Sequence, residues 1–169
     1  WHLHEYPLPE PLGAATAALV GAVATRVAAI SGFVAGGWGR HPWLRRRIDV
    51  LPNPLFADIE PVTPPDGPFT VGYIGQLEPR KRVPDLVRAV ARLQDIQGVI
   101  VGDGKDRPAV EAVIRDSRAA HRIELAGYQA DIAARMARFH CVAIPSLREP
   151  FGLVALEAMA AGVPVVAAR

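Results

Sequence analysis

Apolar and polar positions along this chain follow two regimes on either side of a proline-rich stretch. From Phe69 onward, short apolar runs at residues 70–75, 99–101, 123–126, 141–145 and 163–167 alternate with segments of helical period. The segment 84–93 sets Leu86, Val87, Val90 and Leu93 on one helical face, and a helix from Pro108 turns Val110, Val113 and Ile114 inward. Residues 132–139 predict a third helix. Residues 153–161 predict a fourth, apolar at every position except Glu157 and therefore expected to be buried nearly all round. Strand and helix in this alternation predict an α/β fold on a parallel sheet with helices on both faces. Its ligand is expected beyond the carboxyl ends of the strands.

The first 60 residues read as a partial second α/β domain. Residues 1–8 alternate like the end of a strand, which Pro7, Pro9 and Pro11 stop. The alanine-rich stretch 14–24 predicts a helix, 27–31 a short buried strand, and Ser31 the cap of a brief helix over 33–38. Strand-like residues 48–51 run into Pro52-Asn53-Pro54. Pro61, Pro64, Pro65, Gly67 and Pro68 then form a linker at 61–68, leaving 69–169 as the second domain. Before it, Trp43-Leu44-Arg45-Arg46-Arg47 mixes aromatic and basic side chains. That pattern is a solvated surface run, with peripheral contact to anionic lipid as the alternative. The chain opens on Trp1 and stops at Arg169 directly after a predicted strand, so both ends are expected to be cut.

Composition narrows the class without naming a function. With 169 residues, half of them hydrophobic and 21% charged, the chain has enough apolar material for a real core and is not disordered. Its formal charge of +2 offers no broad field for nucleic acid, so attraction to anions must come from local clusters. Cys141 is the single cysteine, which excludes an internal disulfide, and its apolar flanks predict a buried thiol in a reducing compartment. A cytoplasmic location is expected on that basis, with the inner membrane face as its variant. There is no uninterrupted span of 18 apolar residues, no secretory leader pattern and no repeat. Nor is there a ligand cluster such as H-E-x-x-H, and no metal or cofactor is expected.

Three features carry chemistry. The run Gly75-Gln76-Leu77-Glu78-Pro79-Arg80-Lys81-Arg82 places three cations before a helix N-terminus, on the unfavourable side of its dipole. A bound diphosphate would reverse that penalty; side chains spreading into solvent would also relieve it. Gly102-Asp103-Gly104 serves either a tight turn or a close backbone approach to a nucleotide, but it is no dinucleotide fingerprint, because the third glycine and the later acidic residue are missing. That disfavours a dinucleotide-dependent oxidoreductase. Glu149 precedes the fourth helix near its free backbone N–H groups, and Glu157 stands alone in the apolar helix, where it needs fixed donors or ligand hydroxyls.

The run from Ile144-Pro145-Ser146-Leu147-Arg148-Glu149-Pro150-Phe151-Gly152 through Leu153-Val154-Ala155-Leu156-Glu157-Ala158-Met159 to Ala167 resembles the signature of the retaining glycosyltransferases of family four, which have the GT-B fold. The resemblance implies that 1–60 is the tail of an acceptor-side domain. It makes 69–169 a Rossmann-like donor-binding domain, incomplete at its C-terminus. It implies a transferase moving sugar, with retained configuration, from a nucleotide diphosphate sugar to a sugar, lipid or other acceptor. Lys81, helped by Arg80, would offset charge on the departing diphosphate, as would the amides of Phe151, Gly152 and Leu153. Glu149 would bond sugar hydroxyls and Glu157 the ribose, while His4, with His2 as alternate, would face the sugar from the other domain. Gly75, Gln76, Gly102 and Gly104 would lie along the donor, and Gly127-Tyr128-Gln129 would read the base. Lys81 matches the family's lysine, whereas Gln76 occupies its arginine position. A nucleotide-sugar epimerase of related fold and a truncated module that binds nucleotide without turnover are the alternatives.

Overall fold

The computed structural model describes residues 2–55 and 59–168. Trp1 of the predicted first strand, Phe56, Ala57 and Asp58 within the 1–60 span, and the terminal Arg169 lie outside the described residues. The chain forms two compact units, Trp1–Leu55 with Glu149–Gly152, and Phe56–Arg148 with Leu153–Arg169.

In the first unit, β1 (His2–Leu3), α1 (Leu12–Val23), β2 (Val27–Ala29), α2 (Gly32–Trp38), α3 (Pro42–Arg45) and β3 (Ile48–Val50) build a parallel sheet ordered β1-β2-β3. Of the strand predicted over 1–8, the described residues place His2–Leu3 in β1. Ser31 caps α2 as expected, its Oγ accepting from the Val34 N–H at 3.1 Å. Leu3, Val20, Val27, Val34 and Leu44 form the core. The Trp43-to-Arg47 run is exposed at every position but Leu44, as a surface run should be, and it also pins α3 to α1. Trp43 Nε1 donates to the Ala17 carbonyl at 3.0 Å, Arg47 Nη1 donates to the Gly21 carbonyl at 2.8 Å, and Leu44 is fully buried. Trp43, Arg45, Arg46 and Arg47 are all exposed.

The second unit contains β4 (Phe69–Ile74), α4 (Val83–Arg92), β5 (Ile96–Val101), α5 (Arg107–Asp116), β6 (Ile123–Gly127), α6 (Ile132–Met136), β7 (Cys141–Ile144), α7 (Leu153–Ala160) and β8 (Val165–Ala167). Among the described residues these strands form one parallel sheet ordered β6-β5-β4-β7-β8. The alternation along β5 shows both faces covered. Ile100 packs with Val87, Val90 and Val110 of α4 and α5, while Val99 and Val101 pack with Met136, Phe139 and Ala158 on the α6 and α7 side. Gly72 gives the Phe139 ring room to lie directly on β4, since a Cβ there would overlap it. The fold is therefore the α/β class expected.

Two burial expectations fail. Leu93 ends α4 turned outward and is 49% exposed, because the helix has already broken at that residue. On α7 only Ala158 is fully buried, whereas Leu153 and Leu156 reach solvent and Met159 is 66% exposed. The helix rests one face on the sheet, and apolar composition does not create a second wall for the other face.

Cys141 is buried in β7, and that burial raises its thiol pKa above the ordinary 9.0. A raised folded value means the contribution is fully present below pH 9.0 and is lost as pH climbs through the folded value. Urea midpoints measured from about pH 8 to about pH 10.5 should fall more steeply for the native chain than for Cys141→Ala. Parallel slopes would refute this.

Candidate functional site

The strand order sets the site's position. From β4 the chain moves outward through β5 to β6, then returns to the other side of β4 for β7 and β8. A switch point of this kind opens a crevice at the carboxyl edge. Here the loops after β4, β5 and β6 are stitched together by main-chain bonds. Gly75 N–H donates to the Val101 carbonyl at 3.0 Å, Gly102 N–H to the Gly127 carbonyl at 2.8 Å, and Leu77 N–H to the Asp103 carbonyl at 2.9 Å.

The glycines are needed for this approach. Gly102 has φ +137°, and a Cβ on it would overlap the Gly75 carbonyl oxygen; Gly104 has φ +156° and abuts the Leu77 carbonyl in the same way. The close approach at Gly102-Asp103-Gly104 is of loop to loop.

These loops bound a cleft of about 340 Å³. Gly75, Gln76, Gly102, Tyr128 and Gln129 line it, together with Ile74, Val101, Asp103 and Ile132. Tyr128 is 78% exposed, so its ring is not held in the core and presents a free aromatic face. Gln129 is committed: its Nε2 donates to the Ala126 carbonyl at 3.0 Å and its Oε1 accepts from Arg135 Nη2 at 2.9 Å. The Ala126 carbonyl is placed by an irregularity in which Val101 pairs with Gly127 after Ile100 pairs with Leu125.

The cationic run lies on the loop after β4, where Pro79–Lys81 forms a 3-10 turn. Arg80 Nε donates to Glu78 Oε2 at 2.8 Å, and Arg82, at φ +52°, pairs with Asp85 in the first turn of α4. Carboxylates of the chain thus relieve much of the dipole penalty that had pointed to a bound anion. Lys81 is half-buried at the end of the turn. The Leu147 N–H, beyond β7, donates to the Arg80 carbonyl at 2.8 Å and ties this loop to the other side of the switch point.

The remaining predicted residues lie elsewhere. The cleft's lining takes in none of His4, Lys81, Glu149 and Glu157. His4 follows β1 in the first unit, its ring 4.3 Å from that of His2. Glu149 and Gly152 group with the first unit, as does Phe151, which packs on that unit's core. Leu153 opens α7 in the second unit, and Glu157 is half-buried on that helix rather than enclosed by apolar side chains. Sequence reasoning missed the walls Ile74, Val101 and Ile132, whose apolar signal is that of any core residue. It also passed over Asp103, although that residue lies inside a motif it had singled out. Among the described residues no group of His, Cys, Asp and Glu could hold a metal ion, and no helix is long and apolar enough to cross a membrane.

Comparison with known proteins places this geometry in context. The family described as "Glycosyl transferases group 1" matches residues 56–169. A GDP-mannose-dependent alpha-mannosyltransferase of Mycolicibacterium smegmatis is 38% identical over 130 residues, covering 75% of this chain and 33% of that protein. The lipopolysaccharide core biosynthesis glycosyltransferase LpsE of Rhizobium meliloti is 35% identical over 107 residues, 63% of this chain and 31% of its own length. Among solved structures, Anabaena Alr3699/HepE in complex with UDP-glucose aligns with a TM-score of 0.88 at 27% identity, over 99% of this chain and 52% of that one. This chain therefore spans about a third of these curated relatives and about half of that structure.

Proposed function

This chain belongs to the group 1 glycosyl transferases, and from that premise we propose that it forms the donor-binding part of an enzyme moving a sugar from a nucleotide diphosphate sugar to an acceptor. The observation that carries the reading is the cleft at the carboxyl ends of β4, β5 and β6, walled by Ile74, Val101 and Ile132 and closed by glycine turns. An apolar slot beside an exposed tyrosine suits a nucleobase, with Tyr128 against its face and main-chain groups of Gly127 to Gln129 along its edge. Because both ends of the Gln129 amide are occupied, that residue contributes through its backbone.

From the base, the diphosphate would run past Gly75 and Gln76 toward Lys81. There Lys81 offsets the charge that grows on the leaving phosphate, and Arg80, already bonded to Glu78, contributes less than a free guanidinium would. The amides of Phe151, Gly152 and Leu153 are assigned to the same charge, Glu157 to the ribose, and Glu149 and His4 to the sugar. Retention of configuration is part of the proposal. It needs no enzymic nucleophile if the leaving phosphate itself takes the acceptor's proton on the same face. The family match and the curated relatives are transferases, which leaves the epimerase alternative without support.

Calorimetric titration with UDP, GDP and ADP tests the donor site. Selective binding of one nucleoside diphosphate is expected, and a folded sample that binds none of them would overturn the reading. The anomeric configuration of the first-formed product, followed by NMR in the complete enzyme, decides between retention and inversion.

A further inference from the structure

Tyr73 lies at the second-to-last position of β4 with its side chain in the core, 3% exposed. Its hydroxyl leaves that core to donate to the Gln76 carbonyl at 2.8 Å. The other end of the same peptide unit is also held, since the Leu77 N–H donates to the Asp103 carbonyl at 2.9 Å, and the Leu77 side chain is fully buried. The Gln76–Leu77 peptide is thus clasped from β4 and from the loop after β5, while the Gln76 side chain is exposed at the cleft rim.

We propose that Tyr73 is a positioning residue for the donor's diphosphate, acting through its clasp on the Gln76–Leu77 peptide. The inference rests on the donor-site reading above. Its physical basis is the lack of charge at position 76. A cation attracts phosphate over a range of geometries, whereas a neutral amide contributes about half as much per hydrogen bond and only when it is correctly placed. A loop that presents glutamine to an anion therefore depends on rigidity, and the tyrosine hydroxyl supplies it. Phenylalanine would keep the packing in the core but release the carbonyl to water.

The test compares Tyr73→Phe with the native chain in titrations of the nucleoside diphosphate that binds best and of the matching nucleoside without phosphate. Diphosphate affinity should fall about threefold to tenfold, the worth of one well-placed hydrogen bond, while nucleoside affinity stays the same. In a Gln76→Arg background, where charge replaces placement, Tyr73→Phe should cost clearly less. Equal diphosphate affinity in the two chains overturns the proposal. So does a loss shared by nucleoside and diphosphate, or a loss of the same size with arginine at position 76, since either would mark a general structural role. If the native chain binds no nucleotide at all, it is the donor-site reading that fails, and the proposal falls with it.

Discussion

Gly102→Ala is expected to abolish nucleotide binding and to destabilise the second unit by about 3 kcal/mol or more. Two costs coincide at this position. The backbone sits at φ +137°, a conformation side-chain-bearing residues rarely adopt, and the new methyl would overlap the Gly75 carbonyl oxygen. Because the obstructing atom is main chain, no rotamer change relieves the overlap. The loops after β4 and β5 would have to part, and with them the cleft they bound. Urea unfolding and nucleotide titration read the two effects separately. Gly67→Ala is the control, since Gly67 has φ +107° with open space around it and should show only the conformational cost. If Gly102→Ala bound nucleotide like the native chain, close approach of the loops would be irrelevant to the site.

Removal of the Lys81 amine should act on rate rather than on folding. In the complete enzyme Lys81→Ala is expected to lower kcat by about 10²-fold to 10³-fold, the usual cost of losing one group that stabilises developing charge. The side chain is only half-buried at the end of a 3-10 turn, so the unfolding midpoint should barely move. Steady-state kinetics decide the matter: a raised KM with unchanged kcat would make Lys81 a binding contact alone, and unchanged kinetics would remove it from the site.

Much of the second unit was legible because its strands and helices carry distinct periods. The turns at Gly75, Gly102, Gly104 and Gly127 were legible for a different reason, as all four positions have positive φ and glycine is the residue that tolerates it. Nothing in the sequence distinguishes Ile74, Val101 and Ile132, which wall the cleft, from Val99 or Ile100, which fill the core. The reading of α7 failed because composition reports what a helix can bury and not what stands beside it. The argument from three unfavourable cations was weakened by Glu78 and Asp85, whose pairing depends on how the 3-10 turn folds. Likewise Trp43 and Arg47 are the surface residues expected, but their bonds to the carbonyls of Ala17 and Gly21 depend on how α1 folds and were not legible.

One hydroxyl bears on how this protein can be dissected. Ser31 not only caps α2 but also donates to the Pro150 carbonyl at 2.5 Å, and Phe151 packs with the core around Val34 and Leu44. The stretch Glu149–Gly152 is thus a long-range guest of a unit whose other members end about a hundred residues earlier. A shorter chain begun at the proline-rich stretch would keep the whole five-stranded sheet yet leave this loop without its host. The prolines thus follow a division between two compact units, and Glu149–Gly152 is the later stretch that groups with the first of them.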